Sequence, residues 1–395
     1  MAESNANNNM LSHNKKVKAI AGAIYDNVPY LKKAHSYIPQ SELEGKKYGR
    51  HYSVYIPDPG KAVDGLTASP DAVEEIEVDV LLDNINTSCE LDAWNKLSCI
   101  EDFADEIALP RGRMLARALE KKAIDGTIFN AAQAVVGDQS LETLAKACGM
   151  LDEAGVAGTK VSFMKPTVGA EISAKALGKF IPSDIQSKIY TDKYLGQYAG
   201  AAQIEESLLP TVIGDGSSIA IALTKIEKDG VTIGYEAVTT ATGAKKGQAY
   251  KVEGLKLVDK NGIAMDQDYV VVGIGDDKIA ELRIALLENG ESTSELNANA
   301  WIAEDKTSLS GTNMLTDGTE YFVGQVRTES AVGFDSYKFT DLPGSETSTQ
   351  NFDGITVKMS QFGDGLNMQA LVRLDVPHAV CLPDQREAVV VYFEK

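Results

Sequence analysis

The stretch TTATGAKKGQAY, residues 239–250, sets two glycines, Gly243 and Gly247, around the pair Lys245 and Lys246. A glycine-rich loop with a lysine holds phosphate when it joins a strand to a helix in the pattern Gly-x-x-x-x-Gly-Lys-Ser/Thr. Here the lysines precede the second glycine and no Ser/Thr follows. The next segment, AYKVEGLKL, has the character of a strand. The spacing predicts a turn, with glycines at positive φ and solvated lysines. A nucleotide-binding enzyme using the Gly243–Gly247 loop stays open as an alternative.

The loop sits in a block of strands and tight turns. TKIEKDGVTIGYEAV carries Asp229-Gly230, and LKLVDKNGIAM carries Asn261-Gly262, both strong hairpin signals. DYVVVGIGD and AELRIALLENG are further strands. With mixed segments on both sides, residues 219–297 are expected to form an inserted domain, an antiparallel β-barrel or sandwich. Such a β-domain also leaves a surface receptor-binding or decoration module as an alternative.

Other chemical patterns fail on spacing. Gly273-x-Gly275 lacks the third glycine that opens a dinucleotide-binding helix. Asp259, Asn261, Asp266 and Asp268 do not follow the calcium-loop register. No Gly-x-Ser-x-Gly elbow exists. The acid pairs Glu74-Glu75 and Asp276-Asp277 are adjacent in strand or turn segments, so they point to opposite faces. The expectation is a protein with no catalysis, no cofactor and no metal.

The chain has 395 residues, enough for two or three compact units, and is 44% hydrophobic and 24% charged, a globular composition. No apolar run is long enough for a membrane span. The polar start MAESNANNNM has no signal-peptide core and is expected to be a disordered tail. Cys89, Cys99, Cys148, Cys381 and the four histidines are scattered, without metal-ligand spacing, which fits reduced thiols in a cytoplasmic protein. The net charge of −19 argues against nucleic-acid binding by the chain as a whole. Residues 1–51 run the other way, with eight Lys/Arg against four acids. A basic arm on an acidic body points to a charged partner or a neighbouring copy.

Val17, Ile20, Ala21, Ile24 and Val28 recur at helical spacing, with Lys15, Lys16 and Lys18 at the start. YSVYI (52–56) and the alternating EIEVDVLL (75–82) are strands joined by the turn-rich PDPGKAVDGLTASPD (57–71). A lone long hairpin is marginal in water, so something must cover it. RGRMLARALEKKAIDGTIFNAAQAVV (111–136) is expected to be one long helix studded with Arg111, Arg113, Arg117, Lys121 and Lys122, weakened at Gly126. Residues 141–154 make a further helix, KVSFMKP (160–166) a strand ended by proline, and YFVGQVR, GITVKMSQF, MQALVRLDV and EAVVVYF closing strands.

This order resembles the major capsid (coat) protein of tailed double-stranded-DNA bacteriophages, in the class with an inserted telokin-like β-domain. TGAKKGQAYKVEGLKL (242–257), with its Lys-Gly turn and Gly254-Leu255, is similar to a recurring segment of that family. VSFMKP (161–166) resembles its axial-domain strand and proline, and YTDKYLGQYAGAAQIEESLLPTV (190–212) the segment leading to the insertion. The resemblance implies an α+β fold with residues 1–45 as N-terminal arm and 46–95 as an extended loop across a neighbouring subunit. Residues 96–140 would form the peripheral-domain spine helix, 141–218 the axial domain, 219–297 the insertion and 298–345 the axial return. Residues 346–395 would supply the peripheral strands and the final axial strand. The implied partners are the chain itself in hexameric and pentameric capsomers, a scaffolding protein, a portal protein, and enclosed DNA bound without sequence specificity, with no membrane. The expected assembly contacts are Asp58, Lys61, Asp64, Lys15, Lys16, Lys18, Arg111, Arg113, Lys245 and Lys246.

Overall fold

The computed structural model describes residues 17–37, 51–57, 75–92, 109–176, 196–228, 230–288, 291–292, 298–338, 346–364 and 369–395. It is α+β, with a few helices among many strands. The chain divides into two compact units, one of Met1–Val54, Asp79–Ile124 and Val332–Cys381, the other of Tyr55–Val78, Asp125–Ala331 and Leu382–Lys395.

In the first unit, helix α1 (17–26) buries Val17, Ile20, Ala21 and Ile24, the face its spacing predicts. The turn after it is fastened by Glu120 of helix α2 (Leu109–Thr127). That carboxylate is fully buried and accepts the backbone N–H of Tyr30 and of Leu31. Glycine at 112 permits the approach of the two helices: a Cβ there would stand 3.1 Å from the Ile20 side chain.

The sheet of this unit centres on Gln369–Cys381. One edge pairs with Ile355–Asp364, itself paired with Glu346–Phe352. Gly333–Ser336 continues that edge, and the other edge pairs with Asp83–Asp92, so His378 has Ser336 on one side and Asp83 on the other. The hairpin turn Asp353-Gly354 has positive φ at both positions, which matches the twist of the strands it joins.

His51–Pro57 and Glu75–Leu81 pair as a two-stranded sheet. Within the first unit, Tyr52, Val54, Val80 and Leu82 cluster with Ala379, and the Tyr52 hydroxyl donates to Asp335 at 2.9 Å.

In the second unit, a seven-stranded sheet runs in the order Gln133–Gly137, Ala388–Glu394, Glu320–Thr328, Lys160–Met164, Ala201–Glu205, Gln197–Tyr198, with Thr211–Ile213 beside Glu320–Thr328. Helix α3 (Leu141–Glu153) packs on its first two strands, and the Ser140 hydroxyl caps it by accepting the N–H of Thr143. Helix α4 (Pro166–Ala176) opens with proline, which needs no N–H at a first turn.

An eleven-stranded sheet carries the quoted loop. Its path runs Lys225–Lys228, Val231–Tyr235, Ile284–Glu288, Ala300–Ile302, Ala249–Val258, Ala264–Gly275, Lys278–Leu282, Val238–Thr240. Ser308–Asn313 joins Ala249–Val258 to Ser218–Ala222. Gly230 and Gly262 stand at positive φ in their hairpin turns.

Three sequence expectations change. The long helix stops at Thr127, just past Gly126, and Gln133–Gly137 is a strand parallel to Ala388–Glu394. Gly126 weakens the helix, and strand pairing outweighs helical periodicity for Val135 and Val136. Strands Ala300–Ile302 and Ser308–Asn313 lie past residue 297, where the sequence placed the edge of the inserted domain, yet belong to its sheet. That sheet is not wholly antiparallel, because Ile284–Glu288 and Ala300–Ile302 run parallel.

Candidate functional site

The glycine-lysine loop is tied down at almost every amide. The N–H of Gly243 donates to Asp277 at 2.6 Å, that of Lys245 to the Tyr250 hydroxyl at 3.1 Å, and that of Gly247 to the Gly273 carbonyl at 2.8 Å. The N–H of Gln248 reaches the Lys245 carbonyl at 3.2 Å. A phosphate cradle needs such amides free and converging. Here they are spent closing the turn and tying it to Gly273 and Asp277.

Both glycines are required: φ is +87° at Gly243 and +82° at Gly247. A Cβ on Gly247 would lie 2.9 Å from Val212 and 3.1 Å from Phe129. The carbonyl of Gly247 accepts the hydroxyl of buried Tyr392 at 2.9 Å. The loop is a packed connection, not an open one.

Lys245 has a partner. Its ammonium lies 2.7 Å from Asp215, whose other oxygen accepts the Ser217 N–H, the Ser217 hydroxyl and the Asn313 amide. Burial works to raise the pKa of Asp215, but these hydrogen bonds outweigh it and hold the carboxyl well below the usual carboxylate range. Lys246 is exposed.

Asp58, Lys61, Asp64, Lys15 and Lys16 lie outside the described residues. Lys18 is exposed on α1, and Arg113 is exposed on α2 beside Met114, itself 59% exposed. Arg111 is engaged within its own unit, donating to the Thr87 hydroxyl at 3.0 Å and the Ser88 carbonyl at 2.6 Å.

The acidic cluster near Asn261 is structural in the same way. One oxygen of Asp259 accepts the N–H of Asn261 and of Ile263, closing the hairpin turn. Asp266 and Asp268 pair with Lys256, and Asp268 also with Lys251. Among the described residues no group of three His, Cys, Asp or Glu side chains could hold a metal ion, and no helix is long and apolar enough to cross a membrane.

The buried charges were not singled out from the sequence. Arg386 forms a two-pronged pair with Asp384, both bonds 2.9 Å, and donates to the Asp259 carbonyl at 2.8 Å. Glu387 pairs with Lys260 and accepts the Thr328 hydroxyl. Asp384-x-Arg386 carried a faint signal, since residues two apart can pair when a tight turn follows proline. Nothing local marked Asp259 and Lys260 as their partners, 127 positions away.

No family model and no curated protein matches the chain. Among solved structures, it is similar to the mature capsid of bacteriophage PhiM1, at 9% identity and a TM-score of 0.47, over 92% of this chain and 86% of that one. It is similar to the capsid of cyanophage P-SCSP1u, at 10% identity and 0.47, over 91% and 89%. It is also similar to the capsid of Ralstonia phage GP4, at 8% identity and 0.47, over 93% and 92%. At these identities no residue's role passes from those chains to this one.

Proposed function

We propose that the chain is a major capsid protein, a structural subunit that assembles with copies of itself into the icosahedral shell around a phage double-stranded-DNA genome. The observation that carries this reading is the two-stranded sheet of His51–Pro57 and Glu75–Leu81. Tyr52, Val54 and Val80 are buried, while Tyr55 and Leu81 on the same strands are 56% and 52% exposed. A two-stranded ribbon with bare apolar side chains gains stability when another surface covers it. A neighbouring copy supplies that surface in a shell.

The motif order read from the sequence supports the same conclusion. The glycine-lysine loop gives no support to a nucleotide site, because its amides are engaged by the protein's own acceptors. In this reading the subunits form hexameric and pentameric capsomers in the bacterial cytoplasm, guided by a scaffolding protein and joined to a portal, and end in the virion. Residues 46–95 form the loop across a neighbour.

Electron microscopy of purified protein, alone and with a scaffold, tests this: closed shells or capsomers are expected. A chain that stays monomeric at all concentrations overturns the reading. Deleting Pro57 to Asp71 is expected to abolish shells while the subunit still melts cooperatively.

A further inference from the structure

The second unit holds a cleft of about 600 Å³, with Phe129, Ile274, Thr239, Thr240, Lys278 and Arg283 among its walls. Arg283 is the anomaly. Its side chain is 18% exposed, yet its guanidinium makes no hydrogen bond among the described residues. Nε is buried without a partner, and the contact to Glu281 is 3.8 Å, too long for a hydrogen bond. Leaving that one guanidinium N–H unmet in a buried place is costly.

The Glu281 carboxylate stays 3.8 Å away, and two other nearby acceptors are engaged elsewhere. Asp384 takes both prongs of Arg386. The Gln385 oxygen accepts the Tyr269 hydroxyl at 2.8 Å, and its amide donates to the Glu281 carbonyl at 3.0 Å. The charged residues lining the cleft, Asp125, Lys278, Glu281 and Arg283, sum to zero.

A second feature lies on the same wall. Thr239 and Thr240 belong to Val238–Thr240, an end strand of the eleven-stranded sheet whose one pairing among the described residues is with Lys278–Leu282. An end strand offers its free side to an added strand. The cleft is far larger than a lone anion needs, and its apolar walls suit side chains on either side of a carboxylate.

We propose that this cleft receives an extended segment of a second copy of the chain, laid along Val238–Thr240, with an Asp or Glu carboxylate bonded to the Arg283 guanidinium. The planar fork of arginine matches a carboxylate in two parallel bonds. A second copy is the occupant because the chain carries 57 Asp and Glu against 38 Lys and Arg, so a neighbouring copy presents carboxylates in excess. The inference rests on the capsid reading.

Hydrogen exchange of the full-length protein, as dissociated subunits and as assembled shells, tests it. Amides 238–240 and 278–283 are expected to slow about tenfold or more on assembly. Arg283→Gln is expected to raise the protein concentration needed for assembly about tenfold, with Arg283→Lys in between. Unchanged exchange at these amides in shells, or an Arg283→Gln protein that assembles like the parent, overturns the inference and leaves the capsid reading standing. Protection of the same amides in isolated subunits by millimolar acetate or phosphate also overturns it, because the occupant is then a small anion. If Arg283→Gln fails to fold, the exchange comparison on the unaltered protein decides alone. A chain that never assembles sinks the capsid reading first, and this inference with it.

Discussion

His378 shows how much one buried side chain can matter. It is 2% exposed, Nδ1 donates to the Val376 carbonyl at 3.0 Å, and Nε2 has no partner. Burial pushes its pKa down to about 4, against the opposing backbone hydrogen bond, and the positive charge of Lys122 adds to the depression. A base whose folded pKa lies below its unfolded value stabilises the fold above the unfolded value and ceases to do so as the pH falls. The window therefore runs from the ordinary histidine value of about 6.5 down to about 4. Across it the native state loses about 3 kcal/mol through this residue alone. Comparing denaturant unfolding at pH 7 and pH 4 is expected to show that His378→Gln loses less stability than the parent by about that amount. Equal losses in the two proteins refute the assignment. Nothing in the sequence around His378 announced this, because its burial comes from strands Asp83–Asp92 and Gly333–Ser336, remote in the chain.

Elements were legible where a local signal and the tertiary outcome agreed. The apolar spacing of α1, the Asn261-Gly262 turn and the strand after Gly247 follow from neighbours in sequence. The end of α2 did not, because the competing strand pairing comes from Ala388–Glu394, more than 250 residues on. The glycine-lysine loop lies between these cases: its turn was legible, but the partner of Lys245 was not, because Asp215 sits in a separate turn. That pair gives an asymmetric prediction. Lys245 is 58% exposed, so Lys245→Ala is expected to leave stability almost unchanged. Asp215→Ala removes the acceptor for the Ser217 and Asn313 donors and is expected to cost about 2–3 kcal/mol. Thermal or denaturant unfolding of the two variants reads the difference directly. A Lys245→Ala protein as damaged as Asp215→Ala contradicts the view that the turn hangs on Asp215. Calorimetry with ATP is expected to show no saturable heat for either variant or the parent, since the amides a phosphate would need are engaged.

At the scale of the whole molecule, the region expected as an insertion is closed at its neck but not independent at its core. Ser218–Ala222 pairs with Ser308–Asn313, and the N–H of Asn313 donates to the Ser217 carbonyl at 3.2 Å, so the chain leaves and returns at one place. This made the region visible in sequence as a change of texture, and its sheet takes in Ala300–Ile302 and Ser308–Asn313 as well. What stayed hidden is that one apolar cluster joins both sheets: Leu144, Leu151, Val389 and Val391 belong to it together with Tyr250, Tyr269, Val271 and Leu282. Two backbone links add to this, the Val270 N–H to the Ala132 carbonyl at 3.0 Å and the Tyr392 hydroxyl to the Gly247 carbonyl. Each large apolar side chain removed from such a core costs about 2 kcal/mol in burial alone. Stripping several exceeds the 5–15 kcal/mol, roughly, that holds a domain folded. Excising residues 218–313 and joining Ser217 to Met314 is therefore expected to leave a protein that aggregates on expression, even though the chain leaves and returns at one place. A soluble excised protein with a sharp cooperative melt would show that the seven-stranded sheet carries its own core. In that case the shared cluster would be contact rather than support.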